Sequence, residues 1–467
     1  MKSRTEHDFL GEREIPSGAY YGIQTLRAVE NFNISRCPIS RWPEMIAALA
    51  QVKKAAATAN MELGVLPTDI GEAVRAACDE IIAGRFQDQF PVDCIQGGAG
   101  TSTNMNANEV IANRALEILG HEKGQYDFCH PNNHVNCSQS TNDVYPTAFR
   151  LALYNNLTTL TRDMAHLQEG FSNKGAEFAD VLKMGRTQLQ DAVPMTLGQE
   201  FSAYATTLGE DICRVGEARD LVLEINLGAT AIGTGINAPA DYARLATEAL
   251  REQTGLPFVT SPNLVEATWD TGAYVQISGV LKRVAVKLSK ICNDLRLLSS
   301  GPRAGLNEIN LPKMQPGSSI MPGKVNPVIP EVVNQVAFDI IGKDVTVTLA
   351  AEHGQLELNV MEPVIVNCLF QGIDMLRQAC RVLRDRCVDG ITANRDDCRR
   401  MVENSIGIIT ALNPLIGYEK SAAVAREALE TGASVYDLVL KYKLLSKEKM
   451  DEVLSPENMM RPRFIGS

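Results

Sequence analysis

Val280, Val284, Leu288, Ile291, Leu295 and Leu298 follow one another at intervals of four and three residues, the repeat that lines one side of an α-helix. Arg283, Lys287, Lys290 and Asp294 lie mostly off that line. A helix this long with so narrow an apolar seam packs against other helices rather than on a sheet. Similar periodicity runs from Leu197 to Leu223 and from Val332 to Leu349. These runs predict a mainly α chain with a central bundle of long helices over residues 142–395. The apolar content of the bundle exceeds what the helices of one chain would cover, so association through it is expected.

Two smaller parts flank the bundle. Residues 1–141 read as an N-terminal domain of shorter helices and polar loops, with a helix over 46–59 that carries Ile46, Leu49, Val52 and Ala56 on one face. Residues 97–106 read as a polar, flexible segment outside the core, running into a helix over 107–119. Residues 396–467 read as a small C-terminal helical domain, with a turn from Leu412 to Tyr418.

Composition excludes several classes of function. The chain has 467 residues and a net charge of −11, without the clustered basic residues of a nucleic-acid footprint. No run approaches the ~20 apolar residues that span a bilayer, and the stretch from Met1 to Asp8 lacks the apolar core of a signal peptide. Eleven dispersed cysteines do not form a disulfide framework in a chain this large. A cytoplasmic protein with reduced thiols is expected. Cys129, His130, His134 and Cys137 are zinc-type ligands, but their spacing matches no paired-knuckle pattern and Pro131-Asn132-Asn133 interrupts them. A structural loop is the reading there. Gly233-Thr234-Gly235 lacks the third glycine of a dinucleotide loop, and residues 97–101 lack the Lys-Ser/Thr of a P-loop.

Chemistry concentrates in four polar segments: 97–106, 138–143, 185–190 and 317–326. The last is the densest: Gly317-Ser318-Ser319-Ile320-Met321-Pro322-Gly323-Lys324-Val325-Asn326-Pro327. Glycine and proline preclude regular structure there. Two hydroxyls, backbone N–H groups and one lysine suit a loop that folds over a small anion. Gly317 and Gly323 read as hinges of a lid. The four segments hold hydroxyls and carboxamides, with no nucleophile–base triad, metal cage or phosphate cradle. Such an inventory suits binding two carboxylates and removing a weakly acidic proton between them.

The residue order of the 317–327 segment resembles the mobile signature loop of the aspartase/fumarase superfamily. The resemblance extends from about Leu10 to Leu454. It includes Gln96-Gly97-Gly98-Ala99-Gly100-Thr101-Ser102, Ser140-Thr141-Asn142-Asp143 and Gly185-Arg186-Thr187-Gln188-Leu189-Gln190-Asp191-Ala192. It continues through Ser300-Gly301-Pro302-Arg303-Ala304-Gly305 and Glu357-Leu358-Asn359-Val360-Met361-Glu362-Pro363. It implies the superfamily fold, a homotetramer around a twenty-helix bundle in which each active site gathers loops from three subunits. Within the superfamily the chain looks like an aspartate ammonia-lyase, which converts L-aspartate reversibly into fumarate and ammonia. Related fumarases carry a histidine, coupled to a glutamate matching Glu331, where this chain has Gln188. A glutamine amide exchanges no proton near neutral pH, and the residues after Pro327 also look like those of aspartases.

The resemblance further implies roles for single residues. Ser318 would be the general base at the β-carbon. Thr101, Ser140, Thr141 and Ser319 would meet the β-carboxylate as an aci-carboxylate forms. Lys324, Asn326 and Thr187 would hold the α-carboxylate, and Asn142 and Gln188 would face the leaving ammonium. No organic cofactor and no catalytic metal are implied, with activation by a divalent ion left open. His353 lies outside the family pattern and reads as structural. The segment from His130 to His134 resembles a peripheral anion site of fumarases, except that Asn133 stands where an aspartate is usual. Two alternatives remain at this point: a fumarate hydratase, and a catalytically silent structural member of the same fold.

Overall fold

The structure, a computed structural model, describes residues 2–459. Those residues form seventeen α-helices, and their strands pair only two at a time. The chain is therefore mainly α. The five longest helices are Thr141–Glu177, Leu197–Asp220, Gly272–Leu298, Val328–Glu352 and Glu362–Arg386. In Gly272–Leu298 the seam residues Val284, Leu288, Ile291, Leu295 and Leu298 are buried. The helix expected over 46–59 extends over Pro43–Glu62, with Pro43 at its first position, where a missing N–H costs nothing. Among the described residues no helix is long and apolar enough to cross a membrane.

Two compact units divide the chain. The first comprises residues up to 161, 213–283 and 338–376, and the second 162–212, 284–337 and 377 onward. In the first, Phe149 lies 4.7 Å from Tyr274 and 5.4 Å from Phe370, and Trp42 meets Phe370 edge-on at 5.7 Å. In the second, Phe201 sits 5.4 Å from Phe178 and 5.6 Å from Tyr204. A further apolar cluster of the second unit joins Met184, Leu412, Val439 and Met450. Such ring pairs contribute about 0.5–1.5 kcal/mol each beyond their area burial.

Three local expectations need correction. The helix read as starting at 107 starts six residues earlier, as Thr101–Ile118. Its first turns are core rather than flexible loop, because Thr103, Asn104, Met105 and Asn106 are buried. Buried amides are tolerated when bonded: Gln96 Nε2 donates to Thr103 Oγ1 at 2.9 Å, and Asn106 Nδ2 to Gln89 O at 2.9 Å. Residues 412–416 are not a turn but belong to the helix Ile409–Ile416, with Pro414 inside it, and Gly417 at φ +84 ends it. Burial of Leu412 and Ile416 in the C-terminal cluster overrides the local turn signal. Strands also occur where helical reading had none, as in the hairpin of Ser3–Asp8 with Gly11–Pro16.

Glu362 starts the helix Glu362–Arg386 and is buried in the first unit. Burial pushes its carboxyl from the usual 4.5 up to about 8, against the pull of Arg150. The folded chain therefore keeps a proton that the unfolded chain loses, and the linked stabilisation fades as pH rises toward 8. Glu362→Gln lacks that loss. Thermal melts should show the variant gaining on the wild type between about pH 5 and about pH 8, and a constant difference would contradict this.

Candidate active site

In the first unit the site segments sit on two helix N-termini. Gly98, Ala99 and Gly100 all hold positive φ, at 90, 56 and 88 degrees, before Thr101 opens the helix Thr101–Ile118. Thr101 is exposed, and its Oγ1 donates to Gly98 O at 2.7 Å. A Cβ on Gly100 would stand 2.5 Å from the Tyr145 ring. Only glycine combines that conformation with so close an approach.

Ser140 caps the helix Thr141–Glu177. Its Oγ accepts from Asn142 N at 3.3 Å, while Asp143 Oδ1 accepts from Ser140 N at 2.9 Å. This pair resembles a capping box, with aspartate in the acidic place and the hydroxyl meeting the second rather than the third helical N–H. Asp143 Oδ2 also accepts from Gly228 N at 3.0 Å and Thr230 N at 3.1 Å, tying a third segment to the same helix end. Burial pushes the Asp143 carboxyl up to about 6, although those backbone donors and Lys53 favour its anion. Asn142 Nδ2 donates to Ala231 O at 2.7 Å, while its Oδ1 has no partner among the described residues. An acceptor oxygen held this way suits an ammonium group. Thr141 is joined to the other helix through Asn104, whose Nδ2 donates to Thr141 Oγ1 at 3.1 Å.

In the second unit, Thr187 ends the strand Leu182–Thr187, paired antiparallel with Gln190–Thr196. Gln188 and Leu189 form the two-residue turn with φ of 55 and 62 degrees, the left-handed sense of a type I′ turn. Neither is glycine or asparagine, so each costs about 1–2 kcal/mol relative to ordinary backbone. Such a strained turn is held from behind. Arg186 reaches the buried Glu308 at 2.5 Å, and Lys183 lies 3.0 Å from Glu308 and 2.6 Å from Glu200. Ser405 Oγ further donates to Asp191 Oδ2 at 2.8 Å.

The 317–326 loop closes on itself. Gly317 N donates to Lys324 O and Asn326 Nδ2 to Gly317 O, each at 2.8 Å. A Cβ at 317 would come within 2.8 Å of Asn326 N, which gives this glycine a steric reason distinct from a hinge. Ser318 Oγ accepts from Ile320 N at 3.2 Å and from Met321 N at 3.0 Å. Ser319 and Lys324 are exposed, and Lys324 Nζ has no acidic partner among the described residues. A serine oxygen held by two N–H groups, with a free ammonium on the same loop, can carry more negative charge than a solvated hydroxyl.

Thus Thr101, Ser140, Thr141 and Asn142 are connected within the first unit, while Thr187 with Gln188, and Ser318 to Asn326, lie on two supports of the second. Sequence reading gave no role to the groups behind the first set: the buried Lys53, Asn104 and Asp143, and the half-buried Asn136. The asparagines at 104 and 108 stand one helical turn apart, a spacing that could have signalled a polar face turned inward. At the cysteine–histidine segment, His134 Nδ1 accepts from His130 N at 2.8 Å, and His130 Nδ1 accepts from Asn132 N at 3.0 Å. Both Nδ1 atoms are thereby engaged by backbone.

Comparison with known proteins gives a consistent result. The family described as Lyase matches residues 11–342, and that described as Fumarase C C-terminus matches residues 408–461. An aspartate ammonia-lyase of Helicobacter pylori is 62% identical over 98% of this chain and 98% of its own. A cobalt-bound crystal structure from Brucella melitensis, titled fumarate lyase:delta crystallin, superposes with a TM-score of 0.97. It is 56% identical and covers 99% of this chain and 100% of that one. A class II fumarase of Schistosoma mansoni has a TM-score of 0.93 at 35% identity, with 98% and 99% coverage.

Gly100→Ala should cost at least about 1–3 kcal/mol, since it places a side chain in left-handed backbone against a buried ring. Chemical denaturation would read this. An unchanged unfolding midpoint would mean that the Tyr145 contact is soft.

Proposed function

We propose the reaction of this chain from its family: it belongs to the lyase family, and its relatives set it among the aspartate ammonia-lyases. It is a carbon–nitrogen lyase that converts L-aspartate reversibly into fumarate and ammonia. The observation that carries the mechanism is the pair of backbone N–H groups donating to Ser318 Oγ. In our reading Ser318, as an alkoxide stabilised by those donors and by Lys324, takes a proton from the β-carbon. The electron pair moves onto the β-carboxylate as an aci-carboxylate, met by Ser140, Thr141 and Ser319 and by Thr101, whose one hydroxyl proton must turn from Gly98 O to the carboxylate. The C–N bond then breaks and ammonia leaves, closing the double bond of fumarate.

Charge on the β-carboxylate grows toward the transition state, so donors there raise kcat rather than ground-state binding alone. Lys324, Asn326 and Thr187 hold the α-carboxylate, whose charge does not change. Asn142, with its unpartnered Oδ1, and Gln188 receive the ammonium. Gln188 carries no exchangeable proton near neutral pH, and so relays none to Glu331. We further propose a cytoplasmic homotetramer whose sites combine segments of three subunits. The exposed Phe338, Val345 and Leu349, at steps of seven and four along one helix, suit a face covered by another copy. The division into residues 1–141, 142–395 and 396–467 belongs to the same proposal.

The test follows the ultraviolet absorbance of fumarate with L-aspartate and with L-malate separately. Fumarate from aspartate alone is expected, and production from malate alone would replace this reading with a hydratase. Ser318→Ala should fold and lose on the order of 100- to 10,000-fold in kcat, the range for removal of a general base. Retained activity would remove Ser318 from that role.

A further inference from the structure

Behind Thr141 lies a chain of amides, Asn104 buried and Asn136 and Gln139 half-buried, whose hydrogen-bond sense is fixed at every link. Gln139 Nε2 donates to Val135 O at 3.0 Å and Cys137 O at 2.9 Å, so its Oε1 faces the other way, 2.9 Å from Lys53 Nζ. Asn136 Nδ2 donates to Gln139 O at 3.2 Å, and its Oδ1 accepts from Lys53 Nζ at 2.8 Å. Lys53 is fully buried, and either protonation state of its nitrogen has the two N–H groups these oxygens need.

With the Asn136 oxygen committed, Asn104 must present its amide nitrogen. Asn104 Nδ2 lies 3.1 Å from Asn136 Oδ1 and 3.1 Å from Thr141 Oγ1. The flipped amide would set two oxygens against each other. The observed sense is kept even though it leaves Asn104 Oδ1 buried without a partner, an unfavourable arrangement. A hydroxyl has one proton and two acceptor sites. Since Thr141 Oγ1 accepts from within, and its proton has no acceptor among the described residues, that proton is free for a ligand.

We propose that Asn104 is a positioning residue for this reaction: by donating to Thr141 Oγ1, it turns the Thr141 hydroxyl proton away from the core and toward the substrate carboxylate. The proposal rests on the aspartate ammonia-lyase reading. The amide chain converts Thr141 from a rotor of either sense into a dedicated donor, oriented before the carboxylate arrives. Asparagine at 104 thus acts through Thr141 and not on the substrate.

The test is a double-mutant cycle on fumarate formation from L-aspartate, using Asn104→Asp, Asn104→Ala, Thr141→Val and their combinations. Aspartate at 104 accepts only, so it should draw the Thr141 proton inward and lower kcat on the order of 100-fold, about as much as removing a donor outright. KM should rise less than kcat falls. Adding Thr141→Val to either Asn104 variant should cost far less than Thr141→Val costs the wild type, because both changes remove the same donor. Additive losses in the cycle would overturn the proposal and leave Asn104 as packing. If Asn104→Asp does not fold, the cycle with Asn104→Ala decides in the same way. A wild type inactive on aspartate would instead overturn the functional reading.

Discussion

The Asp143 carboxylate accepts from the backbone N–H groups of Ser140, Gly228 and Thr230, and so joins a helix end to the loop that follows residue 227. A helix N-terminus leaves four N–H groups without partners, and a buried one must find them inside the protein. Here the solution fixes the backbone of the three residues that we propose meet the substrate. Ser140, Thr141 and Asn142 are placed because the helix behind them has to be capped. Burial weakens the Asp143 anion while its backbone donors strengthen it, so the cap is held by a balance of opposed electrostatic terms.

The second unit meets the same need for fixed donors by different means. Its hairpin turn stores backbone strain at Gln188 and Leu189, and the buried Glu308 with Lys183 and Arg186 holds the strand beneath. Strain of this kind persists only where the surroundings over-determine it. The 317–326 loop has no ion pair among the described residues and closes through the backbone of Lys324 and the side chain of Asn326, with Gly317 at the crossing. Within that loop two N–H groups, of Ile320 and Met321, converge on Ser318. Local chain geometry prepares the serine oxygen, and in our reading Lys324 on the same loop adds its charge.

Much of this was legible in residue order. The spacing from Val280 to Leu298 announced a long helix with one buried face, and the buried seam follows it from Val284 onward. The polar segments carrying Thr101, Ser140, Thr187 and Ser318 stood out because glycine, hydroxyl and amide residues cluster there. Reading failed where burial reversed a local signal. Asn104 and Asn106 read as loop because amides avoid cores, yet their bonds to Thr141 and to Gln89 O make burial tolerable. Pro414 read as a turn, yet its neighbours Leu412 and Ile416 are buried on a helix.

The sequence by itself determined the helical class, the places where chemistry is concentrated and the kind of ligand those groups suit. These depend on residue type and on short spacings, which a chain displays without folding. The tertiary structure alone decided which buried amide answers which, and therefore that Thr141 accepts from Asn104 and that Ser318 receives two backbone donors. A hydrogen bond has a direction and a length that composition does not carry. Both are set only when distant segments such as Lys53 and Asn136 are brought within 2.8 Å of each other.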